Sequence, residues 1–180
     1  TAYRQGAPVV MRRAPRGSDG SVPVGLRGGA RHERCAATVA ANSITRVVSP
    51  EGLAIAAVSI AHDAPFAALR TLRALAPALD ALGWAWGPTG GAGFTLASGL
   101  PVLHADSDLD LLVRMPRAPS TAQRDQLARL LGDTECRVDL QIDTGHGGFA
   151  LRDWLASPHQ TLLKTDHGPR LVADPWSDAA

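Results

Sequence analysis

Several signals that would point to a specialised chemistry are missing from this chain. Its 180 residues include only two cysteines, Cys35 and Cys136, far apart and without metal-ligand spacing. That excludes a zinc motif and a disulfide framework, and it reads as two reduced core residues of a cytosolic protein. The formal net charge is only +1. Bulk electrostatics therefore make no case for nucleic acid or a membrane surface, and any anionic ligand must be held by local groups. No apolar run reaches the ~18 residues of a membrane span. No signal peptide is visible, so a cytoplasmic protein is expected. The chain opens at Thr1 rather than at methionine, and residues are expected ahead of it. No segment repeats at a fixed period. GxxxxGK[ST] is absent, and the glycines do not open a βαβ unit as a dinucleotide fingerprint requires. P-loop and Rossmann readings are both poor.

What remains is ordinary globular composition, 45% apolar and 19% charged, on a chain long enough for one domain or two small ones. Up to about residue 62, short runs rich in Val, Ile and Ala ("APVVMRRAP", "SVPVGLRG", "CAATVAANSITRVVSP", "LAIAAVSI") alternate with turn clusters such as "RGSDGS" and "SPEG". They read as a small β-rich unit, residues 1–62, with basic loops. A single RGG, in "LRGGAR", has no aromatic partner and reads as a turn, not as an RNA-binding segment.

From residue 63 the pattern changes. Leu69, Leu72, Leu75, Leu79 and Leu82 recur at helical spacing, with Asp63 as expected N-cap, Pro65 in the first turn and Gly83 as C-cap. Pro77 is expected to kink or split this helix. "GWAWGPTGGAGFTLASGLPVLHA" reads as glycine-rich loop. "DLDLLVR" and "CRVDLQI" read as strands, "STAQRDQLARLLGD" as a helix capped by Ser120, and "ALRDWLAS" as a short helix. The fold class is α+β: a β-rich N-terminal unit, then a mixed sheet with flanking helices over residues 63–180.

The chemistry is concentrated in "LHADSDLDLLVR". On a strand, residues i and i+2 share a face, so Asp108 and Asp110 point together while Leu109, Leu111 and Val113 point the other way. Adjacent carboxylates repel unless a cation lies between them. Mg²⁺ suits them, as a hard ion that takes oxygen ligands and usually brings phosphates. Asp139, in the middle of "RVDLQID", is a third carboxylate on a second apolar strand. Asp143 competes with it but stands nearer the turn "DTGHGG". The glycine-rich run "TGGAGFTLASG" just upstream has the composition to present backbone N–H groups to phosphate oxygens.

A glycine-led turn, a helical segment, "SDLDLL" and a later strand aspartate resemble the DNA polymerase β-type nucleotidyltransferases. More closely, "TLASGLPVLHADSDLDLLVR", "RVDLQID", "LLKTDHGPRLV" and the early "VPVGLRGGARHER" are similar to the malonate decarboxylase holo-[acyl-carrier-protein] synthases, or phosphoribosyl-dephospho-CoA transferases. The resemblance covers most of the chain and lacks a family member's first stretch. It implies a nucleotidyltransferase-like catalytic domain at 63–180. It implies a donor, 2'-(5''-triphosphoribosyl)-3'-dephospho-CoA, and an acceptor, a serine on the apo acyl-carrier subunit of malonate decarboxylase. It implies Mg²⁺ on Asp108, Asp110 and Asp139, with Asp139 a ligand or the base, and substrate contacts from Gly90, Gly91, Ser107 and Lys164. One departure stands out: where the superfamily usually has Gly-Ser, this chain has Gly90-Gly91. Thr89, Thr95 and Ser98 are candidate replacements for the missing hydroxyl. The alternatives are another acceptor (small molecule, RNA or protein) or a non-catalytic nucleotide-binding relative. Trp84 and Trp86 read as core, and His104 as structural.

Overall fold

The computed structural model describes residues 7–28 and 33–177. The RGG reading falls partly on residues 29–32, outside the described residues. The first unit is a three-stranded antiparallel sheet, β1 (Val10–Met11), β2 (Val22–Arg27) and β3 (Arg34–Val39), in the order β1-β2-β3. Val22 and Val24 of β2 are buried. Cys35 of β3 is exposed, not a core residue, and Cys136 is half-buried; both are free thiols.

The second sheet has six strands in sequence order: β4 (Trp86–Pro88), β5 (Leu109–Arg114), β6 (Val138–Asp143), β7 (Gly148–Ala150), β8 (Thr161–Thr165) and β9 (Gly168–Val172). Only β5 and β6 run parallel. Their crossover carries α4 (Thr121–Leu130), closed by the expected Ser120 cap: its Oγ accepts from Gln123 N–H, and Gln123 Oε1 accepts from Ser120 N–H. Leu109, Leu111 and Val113 of β5 and Val138, Leu140 and Ile142 of β6 are all buried, as alternation requires. Leu127 and Leu130 of α4 and Leu72 and Leu79 of α2 (Ala67–Ala81) complete that core.

Four local expectations change. Helix α2 starts at Ala67 after Phe66, and Asp63 is not its cap. Pro65 disfavours helical backbone at Ala64, so the chain turns before the helix begins. Pro77 neither ends nor splits α2; burial of Leu72, Ala76 and Leu79 outweighs its missing hydrogen bond. "LAIAA", read as strand-like, belongs to α1 (Pro50–Ala57). The signals were in the preceding "SPEG": Ser49 accepts from Gly52 N–H, Pro50 opens the first turn, and Glu51 follows it. The glycine-rich run is not loop. It is α3 (Gly90–Ser98), ended by Gly99 in the left-handed conformation. Trp86 is core, as read, and its Nε1–H donates to Asp80 at 2.7 Å.

Helix α1 sits on β4 through Gly87, where a Cβ would run into the Pro50 carbonyl and lie 2.8 Å from Glu51 N. Both obstacles are backbone and cannot rotate away. Gly87→Ala is therefore expected to cost about 1–3 kcal/mol, the usual range for overpacking, read as a shift in the urea midpoint.

Candidate active site

Parallel pairing of β5 with β6 makes Asp110 and Asp139 direct cross-strand partners. Residues opposite each other in a ladder share a face, so both carboxylates stand on the face turned away from the Leu109–Val113 stripe. Both are half-buried. Gln141, two residues on and on the same face, donates from Nε2 to Asp139 Oδ1 at 3.1 Å and fixes that carboxylate. Gln141 was not anticipated; strand alternation from Asp139 was the available signal.

Helix α3 delivers its N-terminus to this pair. Thr89 N–H donates to the Asp110 carbonyl at 2.9 Å, which ties the start of the helix to β5. Gly90 has φ +54, and a Cβ there would collide with the Asp110 carboxylate. Glycine is needed at this position both for its backbone conformation and for close approach. The first amides of α3 thus lie beside the acidic pair, where a helix end favours anionic oxygens. Gly91 is less constrained: a Cβ would meet only Leu103 Cδ2, at 3.0 Å.

The other sequence candidates are placed as follows. Asp108 is half-buried one residue before β5, where Leu109 N–H is held by the Arg137 carbonyl at 2.9 Å. Among the described residues no three His, Cys, Asp or Glu side chains gather into a metal-holding group, so the three aspartates do not form a closed cage. Ser107 closes a turn: its Oγ accepts from His104 N–H at 3.0 Å and its N–H donates to the His104 carbonyl. Lys164 is exposed on β8, opposite Gly148, which in turn lies opposite Asp143. It therefore shares the acidic face, but is level with Asp143, roughly 13 Å along the strand from Asp139 at 3.3 Å per residue. Of the three candidate hydroxyls, Ser98 is committed at the far end of α3, donating to the Phe94 carbonyl at 2.6 Å. Thr95 Oγ1 is buried with no hydrogen-bond partner among the described residues. Thr89 is the N-cap residue, and its side chain makes no capping bond.

Asp143, the competing carboxylate, is neutralised by arginines. Arg114 Nη1 lies 2.6 Å and Arg13 Nη2 3.1 Å from Asp143 Oδ2. Arg114 Nε also holds Glu51 of α1 at 2.7 Å. The first sheet, α1 and the end of β6 are thus joined by one chain of charge. Arg13 reaches Asp143 over Gly148, where a missing side chain leaves room. No local signal relates Arg13 to a residue 130 positions away.

Burial of Glu51 opposes its charge, but hydrogen bonds from Arg114, its own N–H and Ser49 outweigh this and lower its pKa. A lowered carboxylate pKa contributes stability that is complete above the unfolded glutamate value, about 4.3, and is lost as pH falls through the folded value. Glu51→Gln is expected to be less stable than the parent at pH 7 and to converge with it as the pH falls through the folded value, in paired urea melts.

Comparison with known proteins decides the family. A family model described as "Phosphoribosyl-dephospho-CoA transferase MdcG C-terminal domain" matches residues 53–175, and the corresponding N-terminal domain model matches residues 2–50. The chain belongs to the phosphoribosyl-dephospho-CoA transferase family. It is 46% identical to the phosphoribosyl-dephospho-CoA transferase of Pseudomonas putida over 96% of this chain and 81% of that protein. The transferases of Pseudomonas aeruginosa and Azotobacter vinelandii are each 48% identical to it over 97% of the chain and 82% of their length. No solved structure matches it. The two transferase domain models meet in the first turn of α1, the helix that packs on β4. Among the described residues no helix is long and apolar enough to cross a membrane.

Proposed function

We propose that this transferase moves the phosphoribosyl-dephospho-CoA group from 2'-(5''-triphosphoribosyl)-3'-dephospho-CoA to a serine of the apo acyl-carrier subunit of malonate decarboxylase. The serine oxygen forms a bond to the phosphorus nearest the ribose. The bond from that phosphorus to the pyrophosphate oxygen breaks, the serine proton passes to a base, and pyrophosphate leaves. The observation that carries this reading is the in-register pair Asp110 and Asp139 beside the N-terminal turn of α3.

Two carboxylates facing each other suit Mg²⁺, which commonly takes one or two protein carboxylates and completes its shell with phosphate and water. A closed three-ligand cage is not required. Asp110 and Asp139, with Asp108 two residues upstream of Asp110, would hold Mg²⁺, which would supply charge stabilisation to the transferring and leaving oxygens. The α3 amides at Gly90 and Gly91 hold triphosphate oxygens, and the Thr89 hydroxyl stands in for the absent serine. Gln141 keeps Asp139 oriented, as ligand or as acceptor of the serine proton. Lys164, level with Asp143, is assigned to the distal part of the donor.

The test is mass spectrometry of the apo carrier subunit after incubation with enzyme, donor and Mg²⁺. A mass increase equal to one phosphoribosyl-dephospho-CoA group on the acceptor serine, with stoichiometric pyrophosphate, is expected. Modification only from ATP or another ordinary nucleotide would overturn the assignment of the donor.

A further inference from the structure

A net charge of +1 conceals a strong asymmetry. Residues 1–50 contain eight arginines against two acidic residues, whereas residues 51–180 carry ten basic against fifteen acidic residues. The positive charge belongs to the first sheet and its flanking segments, and the catalytic sheet is acidic. Arg12, Arg16, Arg34 and Arg46 are exposed and make no ion pair among the described residues.

Register places two of these arginines, Arg12 and Arg34, on one face at opposite corners of the sheet. Val10 pairs with Gly25, Gly25 with Ala36, and Arg27 with Arg34, so Val10, Arg12, Gly25, Arg27, Ala36 and Arg34 share one sheet face, with Arg27 at the end that meets α3. Gly25 and Ala36 make a low floor, and the Arg12 stem crosses it within 3.6 Å of where a Gly25 Cβ would be. Val10, on the same face, is 49% exposed. Separated arginines beside one exposed apolar side chain on a small-residue floor make a surface suited to an acidic protein partner.

The unit is fixed close to the candidate site on two sides. Arg27 stacks over Phe94 of α3, 5.5 Å from its ring centre. Arg13 pairs with Asp143, four residues beyond Asp139 on β6. A partner docked on the basic sheet is therefore held beside the elements that carry Gly90 and Asp139.

We propose that the exposed face of the first sheet, bounded by Arg12 and Arg34, is the docking surface for the acceptor, an acidic carrier protein. This rests on the functional reading above and adds to it a division of labour: the acidic sheet acts on the donor, and the basic sheet recognises the acceptor. Neither arginine belongs to the catalytic group, so their effect is confined to one substrate.

The experiment is a two-substrate kinetic comparison of the parent with R12E/R34E, using the purified apo carrier subunit, and calorimetric titration of that subunit into each enzyme. KM for the carrier is expected to rise about tenfold or more, with kcat and donor KM within about twofold, and the parent's carrier KM to rise with salt. R12Q/R34Q, which removes charge without reversing it, is expected to show a smaller shift of the same kind and serves if the double reversal misfolds. An unchanged carrier KM overturns the proposal, as does a rise in donor KM instead. So does loss, in the variants, of self-association or of oligonucleotide binding while carrier binding persists. If the parent leaves the carrier unmodified, the functional reading is what fails. Calorimetry then still decides the surface: carrier binding that R12E/R34E abolishes supports it, and no binding to the parent overturns it.

Discussion

Asp110→Asn is expected to lower kcat for transfer by at least about a hundredfold and up to about a thousandfold, the range seen when one electrostatic contact to developing charge is removed. Asparagine has the size of aspartate, and the main-chain bond from Thr89 to the residue-110 carbonyl survives. What disappears is one of two anionic groups that face each other across β5 and β6. Steady-state kinetics of the variant and the parent give the number. Activity within tenfold of the parent would remove Asp110 from the mechanism.

Gly90→Ala is expected to abolish transfer almost as fully, by a different route. The Cβ it adds would land on the Asp110 carboxylate, and the φ of +54 is unfavourable for any side-chain-bearing residue. Left-handed backbone costs about 1–2 kcal/mol. For a chain of this size that corresponds to a drop in Tm of roughly 2–8 °C. The carboxylate must move away or α3 must lift, and either change separates the helix amides from the acidic pair. Gly91→Ala is the paired control. Its Cβ meets only the end of the flexible Leu103 side chain at 3.0 Å. Alanine is also a better helix former than glycine by about 1 kcal/mol. Gly91→Ala is expected to be at least as stable as the parent and to retain most activity. Equal losses in the two variants would show that general disruption of α3, not the Gly90–Asp110 approach, causes the defect.

The elements most legible in the sequence were those fixed by short-range pattern. Strands β5 and β6 alternate buried and half-buried residues as "DLDLLVR" and "CRVDLQI" imply, and α4 starts at the Ser120 capping box. Helix α3 is hidden in the sequence because its glycines lower helix propensity, which is a local measure. Its actual determinants are contacts: Gly90 against Asp110, and Gly93 beneath the Pro88 carbonyl. Helix α1 is ambiguous in the sequence for the opposite reason. Its cap signals were local, but the apolar run behind them also suits a strand.

Alternation along "SDLDLLVR" and "RVDLQID" was sufficient by itself to put aspartates on the non-core face of two strands, because side-chain direction in a strand follows from backbone geometry alone. Which aspartates meet was decided only by the tertiary structure. Register across β5 and β6 sets Asp110 opposite Asp139 and leaves Asp108 just ahead of the strand, while packing gives Asp143 to two arginines, one of them from the segment that follows β1. Those pairings join residues 29 to 130 positions apart, and the packing of whole elements, not the pattern within any one of them, sets such distances.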